Sequence, residues 1–97
     1  MRRSFDIDLA GVADAEALHD RLAAALPLPQ GYGRNLDALH DALTEFGGEW
    51  SIVFRNASGA PKGLRAVCRD AVSETPGLRV TFARARKNPS GGIDAGR

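Results

Sequence analysis

The spacing of the apolar residues changes along this chain, and that change limits the folds it can adopt. Apolar and polar residues alternate over residues 5–9, which predicts a strand with one buried face. Short apolar segments at 50–54 and 78–82 predict two more strands, and apolar residues at helical spacing predict three helices between them. The order β-α-α-β-α-β favours parallel pairing through right-handed crossovers. We therefore predict an α/β fold with a small three-stranded parallel sheet packed by about three helices.

Capping residues and helix breakers set the expected helix ends. Asp14 and Asn35 precede the first two helices and are the expected N-caps. Pro27 ends the first helix, and Gly47 ends the second. The third helix has an apolar stripe formed by Leu64, Val67, Cys68, Ala71 and Val72. Outside that stripe, we expect Trp50 in the core and His19 either at the surface or hydrogen-bonded.

The length and composition indicate one intracellular domain. Ninety-seven residues are enough for a single core. No apolar run is long enough to cross a membrane, and residues 1–8 lack the apolar stretch of a secretory signal. Cys68 is the single cysteine, so the chain cannot form an internal disulfide. These features predict a cytoplasmic protein that has no membrane contact.

The charge is distributed unevenly. Residues 4–83 contain eleven Asp and Glu against seven Lys and Arg, a net charge of −4, whereas the two ends together carry +5. We predict that residues 1–83 form the folded domain and that residues 84–97 form a basic, disordered and dispensable tail. An acidic domain argues against direct nucleic-acid binding and favours a basic partner.

Carboxylates recur one helical turn apart on two of the predicted helices. Asp37 and Asp41 lie on the polar face of the second helix beside His40, and Asp70 and Glu74 repeat the pattern on the third. Like charges at this spacing destabilise a helix by roughly 0.2–0.5 kcal/mol. Two interpretations remain open from the pattern alone: solvated helix faces or an acidic binding surface.

The segment 31–43, GYGRNLDALHDAL, resembles the signature of the barstar family, which comprises intracellular inhibitors of secreted bacterial ribonucleases of the barnase type. The family motif Tyr-Gly-x-Asn-Leu-Asp-Ala-Leu-x-Asp is matched at every fixed position from Tyr32 to Asp41. Weaker similarity extends over about residues 5–83. Two positions depart from the family. An aromatic residue often precedes the motif's tyrosine, where this chain has Gly31. The best-known member has an aromatic residue beside the key aspartate, where this chain has His40.

The resemblance implies a function and a set of partner-binding residues. Asp41 would enter the ribonuclease site in place of a substrate phosphate, Asp37 would flank it, and Asp70 and Glu74 would add contacts from the last helix. The remaining predicted contacts are Tyr32, Gly33, Arg34, Asn35 and His40. The implied partner is a secreted guanyl-type, barnase-like ribonuclease in a 1:1 complex.

The same residues could also indicate a metal site, an acid–base site or a phosphate cradle. Asp37, His40 and Asp41 resemble part of a metal or acid–base site, but no further ligand or nucleophile–base pair accompanies them. A phosphate cradle at residues 31–33 would face repulsion from the aspartates behind it. We therefore predict no enzyme activity, cofactor, metal or small-molecule substrate. The alternative function is a non-inhibitory acidic protein-binding or regulatory module. For Tyr32, core packing and an interface role are equally compatible with the sequence.

Overall fold

The computed structural model describes residues 2–83, so the predicted tail at 84–97 lies outside the described residues. The elements follow the predicted order. The structure contains β1 (Arg3–Asp8), α1 (Ala15–Ala25), α2 (Leu36–Phe46), β2 (Trp50–Arg55), a 3-10 turn (Ala57–Gly59), α3 (Leu64–Glu74) and β3 (Arg79–Phe82).

The three strands form one parallel sheet in the order β1-β2-β3. The register pairs Ile7 with Phe54, and Phe54 with Phe82, so these side chains lie on the same face of the sheet. The Phe54 and Phe82 rings stack with their centroids 5.1 Å apart. The predicted fold class is therefore confirmed.

One core joins the sheet to the helices. Ile7, Ile52 and Phe54 are buried on the inner face of the sheet. The same cluster takes in leucines from all three helices: Leu18, Leu22, Leu39, Leu43 and Leu64. The opposite face of the sheet carries exposed polar residues, among them Asp6 and Arg55, whose side chains form an ion pair at 2.5 Å. The domain therefore has two layers: the helices cover one face of the sheet, and the other face is exposed.

The predicted caps form hydrogen bonds that explain where the helices begin. The side chain of Asp14 accepts from the backbone N–H of Ala17 at 2.9 Å, and that of Asn35 accepts from Ala38 at 2.8 Å. Both cap residues have extended backbone, as N-caps require. Gly47 ends α2 by donating its N–H to the Leu43 carbonyl. The start and end of α2 were therefore predicted correctly.

The turn into β3 requires a glycine. Gly77 has φ +97°, a conformation that L side chains rarely adopt. A Cβ atom at this position would lie 2.1 Å from the carbonyl oxygen of Gly48. The turn after α3 therefore packs directly against the turn after α2, which fixes the two helices next to each other.

Several details differ from the predictions. β1 begins at Arg3 rather than at residue 5, and the loop 56–63 contains the 3-10 turn Ala57–Gly59. Assigning Val72 to the apolar stripe of α3 was wrong: this residue is 36% exposed and lies on the side of α3 that lines a cavity with Val80 and Phe82 of β3. Trp50 is buried as predicted. Cys68 is buried as well, and its burial raises the pKa of the thiol to about 12.

Candidate functional site

The exposed face of α2 presents two carboxylates. Leu39, Ala42 and Leu43 are buried, which turns Asp37 and Asp41 toward solvent. The Asp41 side chain is 84% exposed. The two aspartates are one turn apart and repel each other, which slightly destabilises the helix. Asp37 also lies in the first turn, where its negative charge interacts favourably with the helix N-terminus.

Helix α3 carries a second pair of carboxylates, one of which contacts α2. Asp70 and Glu74 are exposed and one turn apart. The Nε2 atom of His40 on α2 lies 3.2 Å from Oε2 of Glu74, so the two helices meet at this point. Within residues 2–83, neither Asp37 nor Asp70 forms an ion pair. We call Asp37, Asp41, Asp70 and Glu74 the acidic surface.

The loop before α2 is fixed to α1 by a buried hydrogen bond. Nδ1 of His19 lies 2.7 Å from the Tyr32 hydroxyl oxygen. His19 is 1% exposed, so it is a hydrogen-bonded core residue and not a surface one. Burial raises the pKa of the Tyr32 hydroxyl to about 12. Tyr32 thus packs against the core, and its hydroxyl already has an intramolecular partner.

A second contact between α1 and the same loop is the ion pair of Asp20 with Arg34. Asp20 accepts a hydrogen bond from the Arg34 guanidinium, which raises the pKa of Arg34. Arg34 has φ +58°, a left-handed conformation uncommon for a residue with a side chain. Of residues 31–34, Gly31 and Arg34 have positive φ and Gly33 does not.

These contacts set the boundary of the acidic surface. Gly33, Arg34 and Asn35 are exposed, and the Asn35 side chain is engaged as the cap of α2. A shallow cavity of about 330 Å³ lies between α1 and the start of α2, and its lining includes Arg34, Asn35 and Asp37. The carboxylates are therefore bordered by a loop that α1 holds at two points.

The sequence reasoning missed both of these contacts. His19 lies four residues after Ala15 and so falls beside the apolar stripe of α1, a signal that could have indicated its burial. The Asp20–Arg34 ion pair spans fourteen positions, and the local pattern contains no signal for it.

The stability of the protein should depend on the protonation of His19. Burial, together with the positive charge of Arg34, lowers the pKa of its imidazole. In the unfolded chain this pKa returns to about 6.5, so on acidification the unfolded state takes up the proton first. The free energy of unfolding should therefore fall as the pH drops below about 6.5. Urea denaturation between about pH 5 and pH 8 measures this slope, which His19→Gln should flatten; an equal slope in both proteins would contradict the assignment.

Residues 2–83 contain no group of three or more His, Cys, Asp or Glu placed to hold a metal ion. In the same part of the chain, no helix combines the length and apolar character needed to cross a membrane.

The fold and the exposed carboxylates are typical of a small acidic α/β binding protein. The family model described as Barstar (barnase inhibitor) matches residues 2–84. This match covers most of the chain, and the chain therefore belongs to the barstar family, which consists of inhibitors and not enzymes. A search of the curated proteins found no match. The family predicted from the motif at Tyr32–Asp41 is confirmed.

Proposed function

We propose that this protein inhibits a secreted, guanyl-type ribonuclease of the barnase kind by placing carboxylates of its acidic surface in the basic active site. The complex would be 1:1, and the inhibitor would act in the cytoplasm. The alternative is an acidic regulatory module on the same fold that binds a protein without inhibiting a ribonuclease.

The chemistry of RNA cleavage supports this proposal. A ribonuclease must hold a phosphodiester with positively charged and hydrogen-bonding side chains. A carboxylate offers two acceptor oxygens that match an arginine in the same way a phosphate does. When that carboxylate is fixed on a folded helix, less conformational freedom is lost on binding.

The juxtaposition of the two carboxylate pairs is the observation that carries the proposal. The contact between His40 and Glu74 at 3.2 Å links the helix that carries Asp37 and Asp41 to the helix that carries Asp70 and Glu74. Folding alone gives no reason to place four exposed carboxylates together, because each like-charge pair opposes helix formation slightly. A basic partner would convert that repulsion into attraction and would associate faster through electrostatic steering.

We assign different roles within the predicted contact set. Asp41 is the proposed main contact, because its side chain is 84% exposed, against 57% for Glu74, and it matches the last position of the motif. Asp37, Asp70, Glu74 and His40 are proposed contacts around it. The loop residues Gly33, Arg34 and Asn35 are proposed rim contacts. Tyr32 would act mainly by supporting that loop, since its hydroxyl is bonded to His19.

Titration of a purified barnase-type ribonuclease with this protein tests the proposal. We expect RNA cleavage to fall linearly and to stop at one inhibitor per enzyme. The protein alone should cleave neither RNA nor simple phosphate esters, with or without added divalent metal. Full ribonuclease activity at a large excess of this protein would contradict the proposal. Binding without inhibition would instead support the regulatory alternative.

A further inference from the structure

The side chain of His40, on α2, reaches across to α3, the other helix that carries the acidic surface. Its side chain is 28% exposed, and its Nε2 atom is within hydrogen-bonding distance of Glu74 at 3.2 Å. Its Nδ1 atom is 3.8 Å from Oδ1 of Asp41, which is too far for a hydrogen bond. The hydroxyl of Thr44 donates to the His40 carbonyl oxygen at 3.0 Å. His40 thus makes one directed side-chain contact, across to α3.

We propose that His40 is a positioning residue of the acidic surface, and that donation from its Nε2–H to Glu74 holds the α3 carboxylate at a fixed place relative to Asp41. This inference rests on the proposed function. It assigns His40 a role through Glu74, in addition to any contact it makes with a ribonuclease itself.

The physical reason is the flexibility of glutamate. The Glu74 side chain is 57% exposed and, without a partner, would sample many rotamers in the free protein. Immobilising such a side chain on binding would weaken affinity by about two- to tenfold. A hydrogen bond already formed in the free protein avoids much of that loss. The ionised Glu74 carboxylate is an acceptor, so the imidazole must donate from Nε2, which a protonated ring and the Nε2–H tautomer of a neutral ring can both do.

Two uncharged substitutions separate this role from a general effect of losing the histidine. In His40→Gln, the side-chain amide can place a donor near the position of Nε2, whereas the shorter His40→Asn cannot. Against a barnase-type ribonuclease, we expect His40→Gln to bind within about twofold of the parent and His40→Asn to bind about two- to tenfold more weakly. In a Glu74→Ala background the difference between the two variants should shrink to what a direct contact of residue 40 with the ribonuclease contributes. Equal affinities in the parent background, or a difference that is undiminished without Glu74, would overturn the inference.

A measurement on the free protein keeps this test independent of the ribonuclease. Long-range proton–nitrogen NMR of the histidine side chains reports which ring nitrogen carries the proton. We expect His40 to be protonated at Nε2 in the parent and to become a mixture of tautomers in Glu74→Ala. An unchanged His40 signal would overturn the inference even if the parent inhibits strongly. A changed signal in a protein that does not bind the ribonuclease would leave the His40–Glu74 pair intact and would contradict the proposed function instead.

Discussion

Asp41→Ala should weaken binding to the cognate ribonuclease by several kcal/mol, mainly through faster dissociation. This magnitude, about 2 kcal/mol or more, is borrowed from the binding hot spots of the barnase–barstar type of interface. The physical reason is that the basic groups of the enzyme would remain desolvated and unpaired. The free variant should fold normally or become slightly more stable, because Asp41 is exposed and repels Asp37. Binding kinetics measure the dissociation rate, and thermal unfolding followed by circular dichroism measures the stability of the free variant.

Matched variants distinguish a specific contact from a loss of charge. Asp6→Ala removes the same carboxylate from the exposed face of the sheet, opposite the helices, and should change the dissociation rate little. Asp37→Ala and Asp70→Ala should weaken binding less than Asp41→Ala, and their effect should fall on the association rate and shrink at high salt. If Asp41→Ala and Asp6→Ala dissociate at the same rate, Asp41 is not the main contact.

Leu39→Ala should have the largest effect on stability without directly altering the binding surface. Leu39 is 1% exposed and lies on the inner side of the same helix that presents Asp41. Removing its buried methyl groups leaves a cavity, and such substitutions lower the free energy of unfolding by about 2–5 kcal/mol. That is a large part of the stability of a small domain. Urea denaturation measures the change.

The comparison with Leu39→Met isolates the cavity. Methionine nearly conserves the volume and should lower stability by less than about 1.5 kcal/mol. The folded fraction of Leu39→Ala should still bind the ribonuclease, because the exposed carboxylates are unaltered. Stability close to that of the parent would show that the core around α2 collapses more readily than the structure implies.

The sequence predicted the fold well because the responsible signals are local. Asp14 and Asn35 cap helices through residues three positions away, and the alternation of apolar residues marked the first strand. The element ends that were misplaced, such as the start of β1, depend on pairing with a distant strand: the Arg3 N–H donates to the Glu49 carbonyl at 2.8 Å. No local pattern can reveal that bond.

The candidate site was predictable only in part for the same reason. The repeating carboxylates of α2 and α3 and the motif at Tyr32–Asp41 are visible in the sequence. Their meeting on one surface depends on how the two helices pack, and so does the contact between His40 and Glu74. The link from His19 to Tyr32 joins two segments that each resemble ordinary helix and loop. Tertiary contacts of this kind determine the shape of the surface, and the motif reveals only its chemistry.

Competition with a nucleotide tests the central claim most directly, namely that carboxylates of this protein occupy the phosphate-binding site of a ribonuclease. The apparent affinity for a barnase-type ribonuclease is measured at increasing concentrations of guanosine 3′-monophosphate, which carries the guanine base and the phosphate that a guanyl-type ribonuclease must hold in its substrate. We expect the nucleotide and this protein to exclude each other, so that the apparent dissociation constant rises in proportion to the nucleotide concentration once the site is saturated. A ternary complex with unchanged affinity at saturating nucleotide would contradict the account.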